Sequence, residues 1–360
     1  MTSLFGGLFS GRRVLVTGHT GFKGSWLCDW LLELGAEVYG YALDPETTPS
    51  LFDDLGLVEH IDSVVADIRD LGAVNSTMQR VRPEIVIHMA AQPLVLRSYA
   101  EPVYTFDTNV MGTANLLSAV RECDETRVVV NVTTDKVYLN REQGRPFAED
   151  DPLGGHDPYS ASKACAEIVT ASMRDSYFAS GPLVASARAG NVIGGGDWAE
   201  NRIVPDIVRA LSARRPVEVR NPSAIRPWQH VLEPLGAYLH LASRLWSEDR
   251  QFAEAWNFGP DQAAVHTVQD VVERAIEVWG EGSWQGSGTA LHEAGVLTLD
   301  IAKAAERLGW RPVWGFDRTV ERTVEWYRGY AEDASNAPTS TAADIAEYVR
   351  DARANGAPWA

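Results

Sequence analysis

The chain has 360 residues, with 32 basic against 49 acidic side chains and a formal net charge of −17 at pH 7. That balance argues against a nucleic-acid or anionic-membrane surface, and no apolar run reaches the roughly 20 residues of a membrane span. The three cysteines are far apart without C-x-x-C spacing, which indicates reduced thiols and a cytoplasmic location. The apolar segment 4–9 lacks the basic region and cleavage site of a signal peptide.

Short apolar runs alternate with helical stretches of ten or more residues through the first half of the chain. The strand-like runs lie near residues 13–17, 36–43, 62–66, 84–89, 127–133 and 183–188. Such alternation is typical of βαβ units around a parallel sheet. We therefore predict an α/β fold with a doubly wound parallel sheet. After about residue 188 the alternation weakens, which indicates a smaller second lobe.

The first apolar run leads into a glycine-rich turn and then into a helix. Gly18, Gly21 and Gly24 follow a G-x-x-G-x-x-G spacing. Glycines let a dinucleotide pyrophosphate approach the backbone, and the N-terminus of the following helix faces the anion. The spacing is also that of a tight strand-to-helix turn with no ligand.

Asp44 closes the second apolar run, 20 residues after Gly24. A carboxylate at this place accepts hydrogen bonds from the adenosine ribose hydroxyls and repels a 2′-phosphate. The sequence therefore favours NAD over NADP. Because Pro45 follows, Asp44 is also a candidate turn residue.

Polar side chains follow the fifth apolar run, and a Tyr-x-x-x-Lys pair lies further along. The run near 127–133 ends in Thr133, Thr134, Asp135 and Lys136, and ligands of open α/β sheets bind at such carboxyl ends. Tyr159 and Lys163 are four residues apart and share one face of a helix. An ammonium near a phenol favours the phenolate and makes it a better general base. A capped strand end and a solvated helix face are the plainer alternatives.

These segments resemble the extended short-chain dehydrogenase/reductase family (Rossmann fold), and within it the nucleotide-sugar 4,6-dehydratases, from about Arg13 to Tyr330. Most relatives carry Thr-Asp-Glu at 134–136, whereas the branch that acts on CDP-glucose carries Thr-Asp-Lys, as here. Leu96 and Leu139 depart from the pattern of that branch. The phrases that carry the resemblance are 18–26, 90–95, 109–113, 134–136, 151–155, 157–160, 187–198 and 225–234.

The resemblance implies an NAD-dependent lyase that oxidises C4 of CDP-D-glucose, eliminates water across C5 and C6, and returns hydride to C6. Tyr159 would be the base at the C4 hydroxyl, Lys163 would lower its pKa, and Thr134 would bind the C4 oxygen. Asp135 would be the acid for the leaving hydroxyl. Lys136 would be the C5 base if neutral, or would stabilise the enolate if charged. The alternatives are dehydration of a dTDP- or GDP-hexose, a 4-epimerase, which has no use for an acid at Asp135, and a non-enzymatic NAD-binding regulator.

The resemblance also implies two sets of ligand contacts. Several of the residues in these sets also have a plainer structural interpretation. Asp67 is equally a candidate turn residue, Arg202 and Arg226 are candidates for surface ion pairs, and Asn109 is a candidate helix start. Trp228 and His230 are equally candidates for core packing. His19, His88 and His156 lack metal-ligand spacing, so no metal is expected. The cofactor contacts would be Gly18, Thr20, Gly21, Phe22, Lys23, Gly24, Asp44, Asp67, Ile68, Ala90, Ala91, Gln92, Asn109, Thr133, Tyr159 and Lys163. The substrate contacts would be Asn191, Arg202, Arg226, Trp228 and His230.

Domain organisation and assembly follow from the same resemblance. We expect an NAD-binding domain at 1–187, rejoined by about 224–258, and a substrate-binding lobe at 188–223 and 259–330. The tail 331–360 is expected to form a short helix at most, on the surface or mobile. A homodimer, or a dimer of such dimers, would form through the helix starting near Asn109 and the helix 159–173. The apolar residues at 116, 117, 120, 168 and 169 would be covered there.

Overall fold

The structure is a computed structural model that describes residues 1–141, 144–261, 266–286 and 297–360. The predicted second lobe also includes 262–265 and 287–296, which lie outside the described residues. The strands are β1 Arg13–Thr17, β2 Glu37–Ala42, β3 Asp62–Val65, β4 Ile85–His88, β5 Val128–Val132, β6 Leu183–Ala189, β7 Val192–Ile193, β8 Val217–Val219, β9 Ile225–Arg226, β10 Gln229–His230, β11 Ala255–Phe258, β12 His266–Thr267 and β13 Trp284–Gly286. The α-helices are α1 Phe22–Glu33, α2 Leu51–Asp54, α3 Leu71–Val81, α4 Val95–Ala100, α5 Pro102–Phe106, α6 Gly112–Arg121, α7 Pro158–Tyr177, α8 Ile203–Ser212, α9 Leu232–Trp246, α10 Val268–Trp279, α11 Phe316–Glu332 and α12 Ala337–Ala354.

Seven strands form one parallel sheet in the order β11-β6-β5-β4-β1-β2-β3. All six predicted strand runs lie in it, so the predicted doubly wound α/β fold is confirmed. β4 and β5 are buried along their whole length, as expected for strands with helices on both faces. The short strands β7 to β10, β12 and β13 pair outside this sheet, in three two-stranded sheets.

Helices cover the sheet on both faces. On one face, Leu116, Leu117 and Val120 of α6 pack with Leu15 and Val129 of the sheet. On the other, side chains of α1, α9 and the C-terminal segment pack with alternate residues of the same strands. Because successive strand residues point to opposite faces, one run of apolar residues supplies both cores.

The helix α7 starts at a defined cap. Asp157 accepts a hydrogen bond from the backbone N–H of Ser160 (2.9 Å), and Pro158 occupies the first helical position, where no N–H partner is needed. The cap fixes where the helix begins, so Tyr159 lies in its first turn. Asp157, in the loop before α7, and Thr134, at the end of β5, therefore both lie near the side chain of Tyr159.

The tail is part of the core, which corrects the expectation of a surface or mobile segment. α12 has eighteen residues, and Tyr348 and Trp359 are buried. The ring of Trp359 stacks on Phe5 with centroids 5.0 Å apart, and its carbonyl accepts from the N–H of Phe5 (2.7 Å). The short apolar stretch at the start of the chain is thus the counterpart that buries this tail.

Candidate active site

The glycine-rich turn is packed against the chain itself at two of its three glycines. A Cβ on Gly24 would lie 2.1 Å from the carbonyl oxygen of Gly18, and one on Gly18 would lie 2.8 Å from the backbone nitrogen of Ala90. Gly18 also has φ +75°, where a side chain is strained. Gly21 caps α1, and the first N–H groups of that helix, from Phe22 onward, have no carbonyl within the helix to bond. This end of β1 fits the diphosphate of a dinucleotide.

Residues around the turn show which predicted cofactor contacts are open. The hydroxyl of Thr20 donates to the carbonyl of Leu43 (2.8 Å), which brings the loop with Asp44 beside the turn, and Asp44 is exposed. Asp67 is engaged, because Arg69 donates to both of its oxygens and holds the pKa of that carboxyl below its usual range. Ile68 is buried against α6.

The turn after β4 is held by two buried amides. Asn109 accepts from the N–H of Gln92 (2.8 Å) and donates to its carbonyl (3.1 Å) and to Ser162 Oγ (2.8 Å). The side chain of Gln92 in turn donates to Thr105 (2.9 Å) and accepts from the N–H of Leu94 (2.7 Å). Asn109 lies inside a wide helical turn, 107–111, between α5 and α6, so it does not start a helix. Both amides fix the backbone of 90–94, which includes Ala90 and Ala91.

Thr134, Asp135 and Tyr159 meet at the end of β5. Thr134 hydrogen-bonds the Tyr159 hydroxyl, and its own hydroxyl donates to Asp135 Oδ1 (3.0 Å). Asp135 is 1% exposed, and among the described residues its Oδ2 has no hydrogen-bond partner. Lys136 Nζ lies 3.8 Å from Asp135 Oδ1 with its side chain 30% exposed. A hydroxyl and a carboxyl group thus lie near the phenol, with a cation beside the carboxyl group.

Lys163 bonds the backbone at the end of β5. Its ammonium donates to the backbone carbonyl of Val132 (3.0 Å), and burial lowers its pKa to about 8, with the charge of Glu167 opposing that shift. Burial, with a smaller contribution from the charge of Asp135, raises the pKa of Tyr159 to about 12, and Thr134 and the charge of Arg202 offset only part of that rise. In the ligand-free protein the phenol form is therefore favoured, and the lowering of its pKa by Lys163 stays a prediction.

Two further cations reach this cluster. Lys23 Nζ donates to the hydroxyl of Tyr238 (3.3 Å), and burial, followed by the like charges of Lys163 and Arg202, lowers its pKa to about 7. Arg202 is held by Asp197, 2.9 Å away. Three basic side chains from α1, α7 and the start of α8 are thus close enough for the charges of Lys163 and Arg202 to act on Lys23. Such a surplus of donors favours a polyanionic ligand such as a diphosphate.

The remaining predicted substrate contacts divide between the site and the core. Asn191 is half-buried, and its carbonyl accepts from the N–H of Gln229 (3.1 Å). Arg226 and Trp228 are buried. His230 is 0% exposed between the rings of Trp26 and Trp314, and burial lowers its pKa to about 3. His230 therefore belongs to the core, as the alternative reading allowed, and a ligand does not reach it here.

Sequence reasoning missed a buried polar network below the site. Glu167 and Arg188 form an ion pair at 3.0 Å, and both are buried. Arg188 also donates to Tyr138 Oη (2.8 Å), whose hydroxyl donates to Asn257 (2.6 Å). The available signal was the position of Glu167, four residues after Lys163 on the same helix face. Among the described residues no group of side chains could hold a metal ion, and no helix is long and apolar enough to cross a membrane.

A Rossmann-type sheet with a glycine-rich turn after β1 and a Tyr-x-x-x-Lys helix beside the end of β5 defines a short-chain dehydrogenase/reductase. Residues 15–323 match the model of the GDP-mannose 4,6 dehydratase family, and the chain belongs to that family.

Individual relatives and solved structures agree with this placement. The CDP-glucose 4,6-dehydratase of Salmonella typhimurium is 49% identical over 330 residues, which cover 89% of this chain and 92% of the relative. The crystal structure of the dTDP-glucose 4,6-dehydratase DesIV from Streptomyces venezuelae, with NAD and TYD bound, is 26% identical with a TM-score of 0.75 and covers 88% of this chain and 97% of that one. The UDP-glucose 4-epimerase of Thermus thermophilus in complex with NAD is 28% identical, also with a TM-score of 0.75, over 88% and 99% of the two chains.

Proposed function

We propose that this protein is an NAD-dependent hydro-lyase, a CDP-glucose 4,6-dehydratase, that converts CDP-D-glucose to CDP-4-keto-6-deoxy-D-glucose and water. The observation that carries the proposal is Asp135, a buried carboxyl group beside Tyr159 whose Oδ2 has no hydrogen-bond partner in the described part of the chain. An epimerase at C4 needs the phenol but no such acid. The relative that is 49% identical has the same substrate in its name.

The residues present fit NAD. The first turn of α1 offers free N–H groups to a diphosphate, Asp44 lies open at the end of β2, and the turn at 90–94 is rigidly held. Bound NAD would supply the acceptor and donor of hydride at the sugar. Asp44 would favour the unphosphorylated cofactor by accepting from ribose hydroxyls. Asp67 would serve the adenine only if its pairing with Arg69 allowed it.

Protons at the sugar would be handled by this chain's own residues. Tyr159 would take the proton of the C4 hydroxyl, with Thr134 donating to or accepting from the same oxygen. Because burial raises the pKa of Tyr159, its ionisation needs the cations that face it, and Arg202 acts in that direction. Arg202, with Asn191 and Arg226, is positioned to bind the diphosphate and the nucleoside.

The elimination step needs an acid at C6 and a base at C5. Asp135, in its protonated form, would transfer the proton on Oδ2 to the C6 hydroxyl, which departs as water. Lys136 stays open to two roles: as a partly exposed cation beside Asp135 it would stabilise the enolate, and as a neutral amine it would remove the C5 proton. Lys136→Met tests whether Lys136 has either role. If the variant no longer exchanges the C5 proton with solvent, Lys136 is the base or stabilises the enolate.

The test uses purified protein with CDP-, dTDP- and GDP-glucose, and measures the 4-keto product by absorbance after alkali. We expect product with CDP-glucose and its loss in Asp135→Asn, with Asp333→Asn, which alters the cap of an exposed turn before α12, as the matched control. Preference for another nucleotide would overturn the substrate. A C4 epimer formed without loss of water would overturn the reaction.

We also propose a homodimer that could associate further into a dimer of dimers. Val103 on α5 is 81% exposed and Ile168 on α7 is 57% exposed, and Tyr99 on α4 and Met111 in the turn 107–111 are also exposed. An apolar face of this kind is suited to a second copy of the chain. Leu116, Leu117 and Val120, expected at the interface, are instead buried in this chain's own core, because they face the sheet.

Sedimentation at micromolar concentration tests the assembly. The wild type is expected to be a dimer, and Val103→Glu with Ile168→Glu is expected to be a monomer. Val58→Glu changes an apolar residue elsewhere that is 64% exposed, and this variant should stay dimeric. A monomeric wild type would refute the proposal. The reduced state of Cys28, Cys123 and Cys165 fits a cytoplasmic location, which we propose with it.

A further inference from the structure

Glu167 receives hydrogen bonds from the ends of two strands. Its Oε1 accepts from the hydroxyl of Thr133 (2.5 Å), directly after β5. Its Oε2 accepts from the hydroxyl of Ser186 (2.6 Å) and from the guanidinium of Arg188 (3.0 Å), both on β6. All of these side chains are buried. The carboxylate is therefore a fixed anion beneath the site, and nothing assigned so far uses it.

Two side chains of α7 form hydrogen bonds with neighbouring residues at the end of β5. Lys163 Nζ donates to the carbonyl of Val132, and one turn later Glu167 holds the side chain of Thr133, the next residue. One turn earlier, Tyr159 meets Thr134. The three contacts run in register along one face of the helix. A shift of the contact between Lys163 and Val132 would therefore shift the contacts of Glu167 and Tyr159 as well.

We propose that Glu167 is a positioning residue for the dehydratase site: paired with Arg188, it holds Thr133 against α7 and places a fixed anion one helical turn after Lys163. The inference rests on the proposed function for its catalytic consequence. Its geometric and electrostatic parts concern only this chain. Glu167 touches no substrate and is not a catalytic residue.

The charges that face Lys163 come from several elements. On its own helix it faces Glu167, the anion whose charge raises its pKa. From α1, Lys23 is a like charge, and from β4 the buried His88 has its pKa lowered to about 3, chiefly by burial and then by Lys163. Arg188 acts through Glu167. Without Glu167, burial would lower the pKa of Lys163 without opposition from its own helix.

The plainer alternative is that Glu167 and Arg188 only stabilise the fold, as a buried ion pair whose loss is costly wherever it lies. A comparable pair exists away from the site: Arg322 donates to the buried Asp344, from α11 to α12. The two pairs differ in that Glu167 stands beside Lys163. A change in the titration of Lys163 therefore separates a positioning role from a purely structural one.

The chain has only four lysines, Lys23, Lys136, Lys163 and Lys303, so NMR of protein labelled at the lysine ε-carbon can follow Lys163 directly. Glu167→Gln is expected to lower the titration midpoint of Lys163 by about one pH unit, and Asp344→Asn is expected to leave it unchanged. Both variants should lose stability. An unchanged midpoint in folded Glu167→Gln would overturn the electrostatic part. This readout does not depend on the substrate being correctly identified.

Two hydroxyl deletions test the geometric part and keep the proposal falsifiable if Glu167→Gln does not fold. Thr133→Val removes the bond to the β5 end and should lower kcat about tenfold, whereas Ser186→Ala removes a bond of similar length to the same carboxylate and should leave kcat near wild type. Equal effects, or none, would overturn the positioning role. If the wild type itself is inactive on all nucleotide sugars, the proposed function fails while the titration result still stands.

Discussion

Glu167 and Glu233 are both buried glutamates on helices that pack against the sheet, yet their carboxyl pKa values shift in opposite directions. Burial alone would raise the pKa of Glu167, but the charge of Arg188 and the hydrogen bonds it receives outweigh burial. For Glu233, burial raises the pKa to about 7, and its hydrogen-bond donors offset only part of the rise. In the described part of the chain no cation pairs with Glu233. The two pKa shifts therefore differ in direction because Glu167 has a charged partner, Arg188, and Glu233 has, among the described residues, only neutral donors.

The donors around Glu233 explain what it does instead. It accepts from the N–H groups of Val313 (3.0 Å) and Trp314 (2.6 Å) and from the hydroxyl of Tyr348 (2.9 Å). It therefore joins α9 to a turn before α11 and to α12, in the aromatic core that buries the tail. The region around Glu167 orders a site, and the region around Glu233 orders the fold. Changes in the first should alter catalysis, and changes in the second should alter stability.

The largest expected effect comes from removing one buried phenol hydroxyl in each region. Tyr159→Phe should lower kcat about 10²- to 10⁴-fold, because the base at C4 is lost, with little change in melting temperature. Tyr348→Phe removes the bond to Glu233 and should cost about 1 kcal/mol of stability with kcat unchanged. Turnover assays and thermal unfolding of both variants measure the contrast. An active Tyr159→Phe enzyme would break the comparison.

The second effect is a pH dependence of stability of opposite sign for the two glutamates. The folded pKa of Glu233 lies above its unfolded value of about 4.5, so its stabilisation is complete below that pH and is lost as pH rises through about 7. The loss is on the order of 3 kcal/mol. Glu167 has a depressed pKa, so its contribution is present above about pH 4.5 and disappears as pH falls.

Urea unfolding at about pH 5 and about pH 8 measures these contributions by difference. The free energy of unfolding of the wild type minus that of Glu233→Gln should be smaller at about pH 8 than at about pH 5. The same difference for Glu167→Gln should stay nearly constant over this change, because the contribution of Glu167 is already present above about pH 4.5, and it should shrink in a third measurement below that pH. Parallel slopes for the two variants would mean that partner charge does not set these pKa values.

The smallest effect is expected at Asp44, an exposed carboxylate, whose contribution can be compared with those of the two buried glutamates. Asp44→Ala should weaken NAD about tenfold and relax discrimination against NADP, because a solvated carboxylate contributes about 1 kcal/mol per ligand contact. Fluorescence titration with both cofactors measures the ratio, and Glu46→Ala, two residues further on, is the control. An unchanged preference would remove Asp44 from the ribose site.

The sequence predicted those parts of the molecule that depend on local pattern. The six strand runs, the glycine turn and the Tyr159–Lys163 face all follow from periodicity and spacing, and all lie where expected. Contacts set by tertiary burial were not predictable in the same way. The pKa of Tyr159 is governed by burial, and Lys163 bonds a backbone carbonyl that no sequence pattern marks.

Residues with two plausible uses were the main source of error. Leu116, Leu117 and Val120 form an apolar stripe that serves either an interface or a core, and the orientation of α6 on the sheet decides for the core. His230 was divided between ligand and packing, and the rings of Trp26 and Trp314 decide for packing. The polarity of the tail concealed the few aromatic side chains that bury it.

The strand order has a consequence for how this chain is made. β1 is synthesised first but lies inside the sheet, and its second edge is covered by β4, about 70 residues later in sequence. Until β4 emerges from the ribosome, the edge carrying Val14 and Val16 is open to pairing with other chains. β6 waits in the same way for β11. A translational pause after β3 should therefore increase aggregation and dependence on chaperones more than one placed after β11.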